Sequence, residues 1–416
     1  MVNVAVLGYG VVGSGVVEVI KLNGNGITKK AGEEIKVKRI LDLRDFPNSP
    51  DRELFTKNAE DIFLDESIHV IVETIGGAGV AYELTKKSLS TGRHVVTSNK
   101  ELVAKHGPEL LALAKENGVR YLFEASVGGG IPIIRPLEQC LAANEIEEIV
   151  GILNGTTNYI LSQMRRESKD FDAALKEAQQ KGYAEANPAA DIDGHDACRK
   201  IAILSSIAYD EFIDSSHIET EGITRITLED MRIAEELGMV IKLIGRSKKI
   251  GEKIYARVSP MLVSKSHPLG NVEDVFNAIV VKGNAVGETM FYGQGAGKLP
   301  TASAVVADII DITRNAGSKI ESRLWKINDS KNMGSAEDLT GACLIRLKVN
   351  STEEAKVMVR EFFDKIQWVN SASLASSDEL AFVTGKYSEK ELKQRLTNLV
   401  NAAPVENIIN TLRILE

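Results

Sequence analysis

The chain has 416 residues, a formal net charge of -8, 44% hydrophobic and 26% charged residues. At roughly 150 residues per domain this gives two or three globular domains and excludes a wholly disordered chain. No basic patch or stripe of the kind nucleic-acid binders carry is present, and no apolar run is long enough to read as a membrane span. Three cysteines, Cys140, Cys198 and Cys343, are odd in number and far apart. They support neither a disulfide framework nor a zinc site, and a cytoplasmic setting is expected. The apolar N-terminus lacks the basic region and cleavage site of a signal peptide.

Residues 2–7 read as a buried strand, followed by Gly8-Tyr9-Gly10-Val11-Val12-Gly13 and a helix over 14–20. This is G-x-G-x-x-G between strand and helix, the context that gives it meaning. The first glycine permits the turn, the second admits a pyrophosphate, and the third lets helix and strand pack closely. Gly8, Gly10, Val11, Val12 and Gly13 are therefore candidate cofactor contacts, on a helix N-terminus that attracts phosphate. A loop holding Asn23-Gly24-Asn25-Gly26 and a strand over 35–43 are expected next. Asp42, Arg44 and Asp45 stand at that strand's end. An acid there suits the ribose of NAD and an arginine the 2′-phosphate of NADP, so the choice stays open, with a lean to Arg44 and NADP.

Strands at 68–74, 94–97 and 120–124 alternate with helices at 80–90 and 110–116. That alternation predicts a parallel, doubly wound sheet of Rossmann type. Its carboxyl ends carry Thr74, Ser98, Lys100 and Glu124 toward a bound cofactor. Glu124 opens a glycine-rich loop through Gly128-Gly129-Gly130 to Pro132, whose carbonyls and carboxylate are of the type that holds a hard cation. The segment 151–159 reads as a strand feeding a polar turn, with residue types that either contact a polar substrate or cap a helix.

The stretch 178–200 is the most informative. Asp193 is placed to cap a helix over 195–208. At about 100° per residue, Asp196 and Lys200 share its face with Ile203, Leu204 and Ile207, while Cys198, Ser205, Ser206 and Tyr209 lie opposite. An Asp-x-x-x-Lys pair is ordinarily an exposed salt bridge. Inside an apolar stripe it is costly, which points to function, and a half-buried lysine exchanges protons near neutrality. A second glycine-rich loop, 291–301, contains Gly295 and Gly297 and precedes an apolar helix over 302–312.

These motifs resemble the homoserine dehydrogenase family. Its signature matches Ala178, Gly182, Tyr183, Asn187-Pro188, Asp191, Gly194, Asp196 and Lys200 in register, and blocks at 8–15, 98–100, 124–132 and 291–308 resemble it too. The likeness covers residues 1 to about 325. It implies NAD(P)-dependent interconversion of L-homoserine and L-aspartate 4-semialdehyde. By resemblance Lys200 is the catalytic proton donor and acceptor and Lys100 assists. Glu185 and Asp196 match substrate-binding positions, and Gly182 and Gly297 lie near the cofactor. Glu124, Val127, Gly129 and Ile131 match a sodium site, the last three through backbone oxygens. The six histidines are scattered without metal-ligand spacing, so the acid is an organic side chain.

A linker is expected over 333–341. A strand (343–349), a helix (352–366), strands near 369–375 and 379–384, a helix (388–401) and a strand (407–414) follow. This βαββαβ order is ferredoxin-like and resembles the ACT regulatory domain of many homoserine dehydrogenases. Where that family often has an Asp and a Pro-Gly pair after the first strand, this chain has Asn350-Ser351-Thr352. Two readings are open, a sensor for an amino acid such as threonine and a module that only mediates assembly. The expected organisation is a dinucleotide-binding domain (1–135, with about 300–325 returning to it), an α+β catalytic and dimerisation domain (136–300) and the ACT-like domain (340–416). A homodimer or homotetramer is expected. A non-catalytic NAD(P)-binding redox sensor is the alternative, though it would not require a charged pair in an apolar helix stripe.

Overall fold

β1 (Val2–Leu7) is buried from Asn3 onward, as a parallel strand covered on both faces must be. It leads to α1 (Val11–Ala31), β2 (Ile35–Leu41), β3 (Phe55–Thr56), α2 (Glu60–Phe63), β4 (Ile68–Glu73), α3 (Val80–Ser90), β5 (His94–Thr97), α4 (Lys100–Glu116) and β6 (Tyr121–Leu122). The structure, a computed structural model, describes residues 1–416 except 319–323, 329–330, 371–373, 375 and 403. The six strands pair in parallel in the order β3-β2-β1-β4-β5-β6. That is the expected Rossmann-like doubly wound sheet, with its switch point between β1 and β4.

Two helices differ from expectation. The Asn-Gly-Asn-Gly segment is not a loop, because α1 runs through it to Gly32, which stops the helix at φ +83°. Ile27 and Ala31, 5% and 4% exposed, anchor the far turns in the core, and this burial outweighs the poor helix propensity of two glycines. α4 begins ten residues before the expected 110, at Lys100, because Asn99 caps it by accepting the Leu102 N–H (3.1 Å), and it tolerates Pro108.

The remaining elements are β7 (Ile146–Ile152), α5 (Gly155–Glu167), α6 (Phe171–Gln180), α7 (Ala189–Ile192), α8 (His195–Tyr209), β8 (Glu219–Thr220), α9 (Leu228–Glu236), β9 (Met239–Ile250), β10 (Lys253–Ser264), β11 (Phe276–Gly283), β12 (Gly287–Gln294), α10 (Lys298–Arg314), β13 (Thr340–Gly341), β14 (Cys343–Val349), α11 (Thr352–Phe362), β15 (Ile366–Trp368), β16 (Glu379–Thr384), β17 (Tyr387–Ser388), α12 (Glu389–Val400) and β18 (Val405–Ile414). The chain divides into two compact units. One comprises Met1–Ile146, Arg199–His217 and Lys282–Lys331, and the other Glu147–Cys198, Ile218–Val281 and Asn332–Glu416. No helix among the described residues is long and apolar enough to cross a membrane.

In the first unit α1 and α10 pack on the sheet, with Val16, Val17, Ile20, Val305 and Ile309 against Val4, Val6 and Val72. In the second, a large mixed sheet runs β11-β7-β9-β10-β18-β14-β16-β15, with β8 beside β10. β18 is parallel to β10 and antiparallel to β14, so the C-terminal segment extends the sheet of the middle one. The expected linker is accordingly not free: Thr340–Gly341 pairs with β17, and Gly334 N–H donates to Ile254 (2.8 Å). α11 stops at Phe362, short of 366, and the next strand is at Ile366–Trp368 rather than 369–375, part of which lies outside the described residues. Phe363 leaves the helix to pack its ring near Phe382 and Tyr387, at centroid distances of 5.3 and 5.8 Å.

α5 is pinned to the loop before β11 by Lys242. Its Nζ donates to Asn158 Oδ1 (3.0 Å) and to the Val272 carbonyl, and lies 3.5 Å from Glu273. Burial pushes the Lys242 pKa down to about 8, against the attraction of Glu273. Above that pH and below the ordinary lysine value, the unfolded chain binds more protons than the folded one, so stability rises with pH. In urea unfolding from pH 8 to 10, the stability of the parent relative to Lys242→Met is therefore expected to rise by about 2 kcal/mol. A pH-independent difference would contradict a lysine whose pKa burial has lowered.

Candidate active site

At the carboxyl ends of β1 and β4 the glycine loop meets Thr74. Gly8 adopts φ +91°, which a residue with a side chain resists, and a Cβ on Gly13 would stand 1.9 Å from the Gly8 carbonyl oxygen and 2.7 Å from Thr74 Oγ1. Thr74 Oγ1 donates in this tight corner, with Leu7 and Gly8 carbonyls at 3.0 and 2.8 Å. Gly10 differs: a Cβ there would meet no atom within 4 Å. The loop is thus packed behind and open in front, which fits a pyrophosphate on the N-terminus of α1. Val11, the first residue of that helix, is exposed and Val12 half-buried. Gly297 opens α10, whose Lys298 and Ala302 lie against Gly15.

Asp42 and Arg44 come together beside this loop. Asp42 accepts the Tyr9 N–H (2.7 Å), the Arg44 N–H (2.9 Å) and two guanidinium bonds from Arg44 (3.0 and 2.8 Å). The Arg44 guanidinium holds the Asp42 carboxyl well below the usual carboxylate range. Arg44 itself stays solvent-exposed, with its charge 5.3 Å from the Phe46 ring centroid.

Ser98 and Lys100 sit half-buried where β5 passes into α4. A residue that sequence reasoning missed organises this edge. Glu73, fully buried, accepts from the Ile75 and Gly76 N–H groups (2.8 and 3.3 Å) and from the Thr97 hydroxyl (2.6 Å). Burial raises its pKa, and these hydrogen bonds oppose the shift. It ties the loop after β4 to β5. An acid ending an apolar strand was its only signal.

Glu124 is 4% exposed. Its carboxylate accepts three main-chain N–H groups, from Ile133 (2.6 Å), Ile134 (2.8 Å) and Arg135 (2.8 Å). Its own N–H donates to Asp308 (2.9 Å), which also binds the Arg135 guanidinium. Burial holds the Asp308 carboxyl well above the usual range, as does the Glu124 charge, while Arg135 opposes both. The glycine turn here is tight, with Gly128 and Gly129 at φ +74° and +55°. The carbonyls of Val127, Gly129 and Ile131 accept no backbone N–H among the described residues. No group of three or more His, Cys, Asp or Glu suited to a metal occurs among the described residues. The Glu124 carboxylate is thus engaged by main-chain amides.

α8 is buried on almost every side. Asp196 and Lys200 are 4% and 8% exposed, and the side expected to be the polar one is buried too, Ser205 and Ser206 being 0% and 1% exposed. Their hydroxyls donate to the carbonyls of Ile201 and Ala202 (2.6 and 2.8 Å), which satisfies them in place. Asp193 ends α7 rather than capping α8, and Gly194, just before α8, is the acceptor of the Cys198 N–H (2.9 Å). Asn154 joins the carboxylates, donating to Asp191 (2.7 Å) and Asp196 (2.9 Å). Gly182 (φ +74°) and Glu185 lie in the exposed turn after α6, tied to α5 by the Thr156 hydroxyl on the Tyr183 carbonyl (2.7 Å). Asn154 and Asp191 were not singled out as site residues from sequence, although both lie in segments that were.

Comparison with known proteins agrees with this chemistry. The family model described as homoserine dehydrogenase matches residues 132–310, and its NAD-binding domain matches residues 8–124. The homoserine dehydrogenase of Bacillus subtilis (strain 168) is 37% identical over 431 aligned residues, covering 99% of this chain and 98% of the relative. That of Synechocystis is 46% identical over 317 residues, 75% of this chain and 73% of the relative. A crystal structure of a homoserine dehydrogenase from Thiobacillus denitrificans superposes with a TM-score of 0.90 at 37% identity, covering 100% of this chain and 98% of that one. A hyperthermophilic archaeal homoserine dehydrogenase in complex with NADPH gives 0.65 at 32% identity, covering 77% of this chain and 99% of that one. The chain belongs to the homoserine dehydrogenase family.

Proposed function

We infer that the chain catalyses the reversible NAD(P)-dependent reduction of L-aspartate 4-semialdehyde to L-homoserine. The observation that carries this is Asp196 and Lys200, both buried, one turn apart on a helix with few exposed residues. Such a charged pair costs too much to be kept for packing alone. The cofactor, when bound, supplies or accepts the hydride. In the reductive direction the Lys200 ammonium stabilises the developing alkoxide and protonates it, and in the oxidative direction its amine takes the hydroxyl proton. Lys100 assists, and Glu185 and Asp196 hold the substrate's polar groups. Gly8, Gly10, Val11, Val12, Gly13, Thr74, Ser98, Gly182 and Gly297 serve the cofactor. A sodium ion in the 124–131 loop would be held by main-chain oxygens of Glu124, Val127, Gly129 and Ile131. A redox sensor without catalysis is not favoured by the relatives.

Arg44 is the residue we assign to the 2′-phosphate of NADP, pre-aimed by Asp42. Arg44→Ala is expected to raise the KM for NADP about tenfold and to leave the KM for NAD nearly unchanged. Equal effects on both would remove this assignment. The reaction itself is tested by incubating the protein with L-aspartate 4-semialdehyde and reduced cofactor and identifying L-homoserine by chromatography.

The C-terminal segment has strand order β18-β14-β16-β15, all neighbours antiparallel, with α11 and α12 packed through Ala355, Val359, Leu392, Leu396 and Leu399. That order supports a ferredoxin-like, ACT-like unit. Its role as a sensor for an amino acid such as threonine and the homo-oligomeric state belong to the same proposal, and loss of rate on adding threonine is the test of the former.

A further inference from the structure

Asn154 stands at the N-cap of α5, and capping does not explain why it is asparagine. Its Oδ1 accepts the Thr157 N–H (2.9 Å) and the Thr157 hydroxyl (3.0 Å). Aspartate, serine or threonine would serve that purpose as well. None of them also presents two donors. The Asn154 amide uses both, one on Asp191 of α7 and one on Asp196 of α8. Because Thr157 fixes Oδ1, the amide cannot flip, and the two N–H bonds point in set directions. By the geometry of an NH2 group they hold one oxygen of each carboxylate about 5 Å apart. Asn154 is 6% exposed and Asp196 4%, and Asp191 is half-buried, so water screens the two negative charges only in part. Lys200 lies one helical turn beyond Asp196 on α8.

We propose that Asn154 is a positioning residue, whose amide sets the spacing of the Asp191 and Asp196 carboxylates and so fixes Asp196 relative to Lys200. The role rests on the reaction proposed above and adds to it a residue that touches neither substrate nor cofactor. With the amide removed, the two carboxylates lose their shared donor, repel each other, and one of them holds a proton at higher pH.

The test is Asn154→Ser, which keeps a capping oxygen and removes both amide donors. The expected result is a folded protein with a somewhat lowered unfolding midpoint, a fall in kcat/KM for L-homoserine of about 10- to 100-fold, and an acid limb of the kcat/KM profile moved to higher pH. Asn154→Asp keeps both size and cap but puts a third carboxylate in place of the donors. It is expected to show a larger fall and a larger displacement of the same limb, and it serves if the serine variant fails to fold. A folded variant with parental kcat/KM and an unmoved pH profile overturns the role, leaving Asn154 a cap alone. A parent that does not turn over L-homoserine overturns the assigned reaction and this role with it, whereas an active parent with unaltered variants overturns this role only.

Discussion

Lys200→Met is expected to fold, to bind reduced nicotinamide cofactor, and to lose about 10²–10⁴-fold in kcat. Methionine matches the length of the lysine stem and suits a helix whose other residues are largely buried. It cannot give or take a proton. Lys200→Arg should fall by a similar factor, because a guanidinium keeps the charge but does not deprotonate near neutrality. The pair of variants separates proton transfer from electrostatic stabilisation. Steady-state rates in both directions, with cofactor binding followed by fluorescence, provide the check. A Lys200→Met enzyme retaining more than a third of parental kcat would place the proton donor elsewhere.

The second large effect concerns stability. Arg346 lies on the face of β14 opposite Cys343, Ile345, Leu347 and Val349, is 4% exposed, and pairs there with Asp230, which is fully buried. Its guanidinium donates to Asp230 (2.8 Å), to Thr227 Oγ1 (2.9 Å) and to Glu379 (3.2 Å). Asp230 also accepts from Asn410 of β18 and from the Thr227 N–H, both at 2.9 Å, which completes the capping box of α9. The network fastens the C-terminal segment to α9. Arg346→Ala leaves Asp230 buried with no cation and is expected to destabilise by about 3–5 kcal/mol. The double variant Arg346→Met/Asp230→Asn removes both charges and should recover most of that loss. Urea unfolding measures both. A single variant within about 1 kcal/mol of the parent would show that the pair contributes little.

The parallel sheet was legible because its strands are short apolar runs, and most boundaries fall where expected. The glycine fingerprint was legible because three glycines are required for three separate reasons, two of which the structure shows as close contacts at Gly8 and Gly13. Asn23-Gly24-Asn25-Gly26 reads as a loop although α1 continues through it, because local propensity says nothing of the burial of Ile27 and Ala31. The same limit hid the early end of α11, which Phe363 decides through rings distant in sequence.

The candidate site divides along the same line. Asp196 and Lys200 were visible as charges inside an apolar stripe. Asn154 and Glu73 were not, because each acts through groups far away in the chain: Asp191 and Asp196 for one, Thr97 for the other. A polar residue at a turn has many ordinary explanations, and only its partners select among them. Glu124 shows the converse. Its residue type was visible in the sequence, but the three main-chain amides that its carboxylate binds were not.

On the proposed reaction, this chain oxidises L-homoserine with a nicotinamide cofactor through Lys200. The most direct test is the absorbance of reduced nicotinamide after mixing the parent protein with L-homoserine and NADP or NAD, beside Lys200→Met. Substrate-dependent reduction by the parent is expected, with a loss of about 10²-fold or more in the variant. A folded parent that binds cofactor yet produces no reduced nicotinamide with either, and consumes none with L-aspartate 4-semialdehyde, would contradict it.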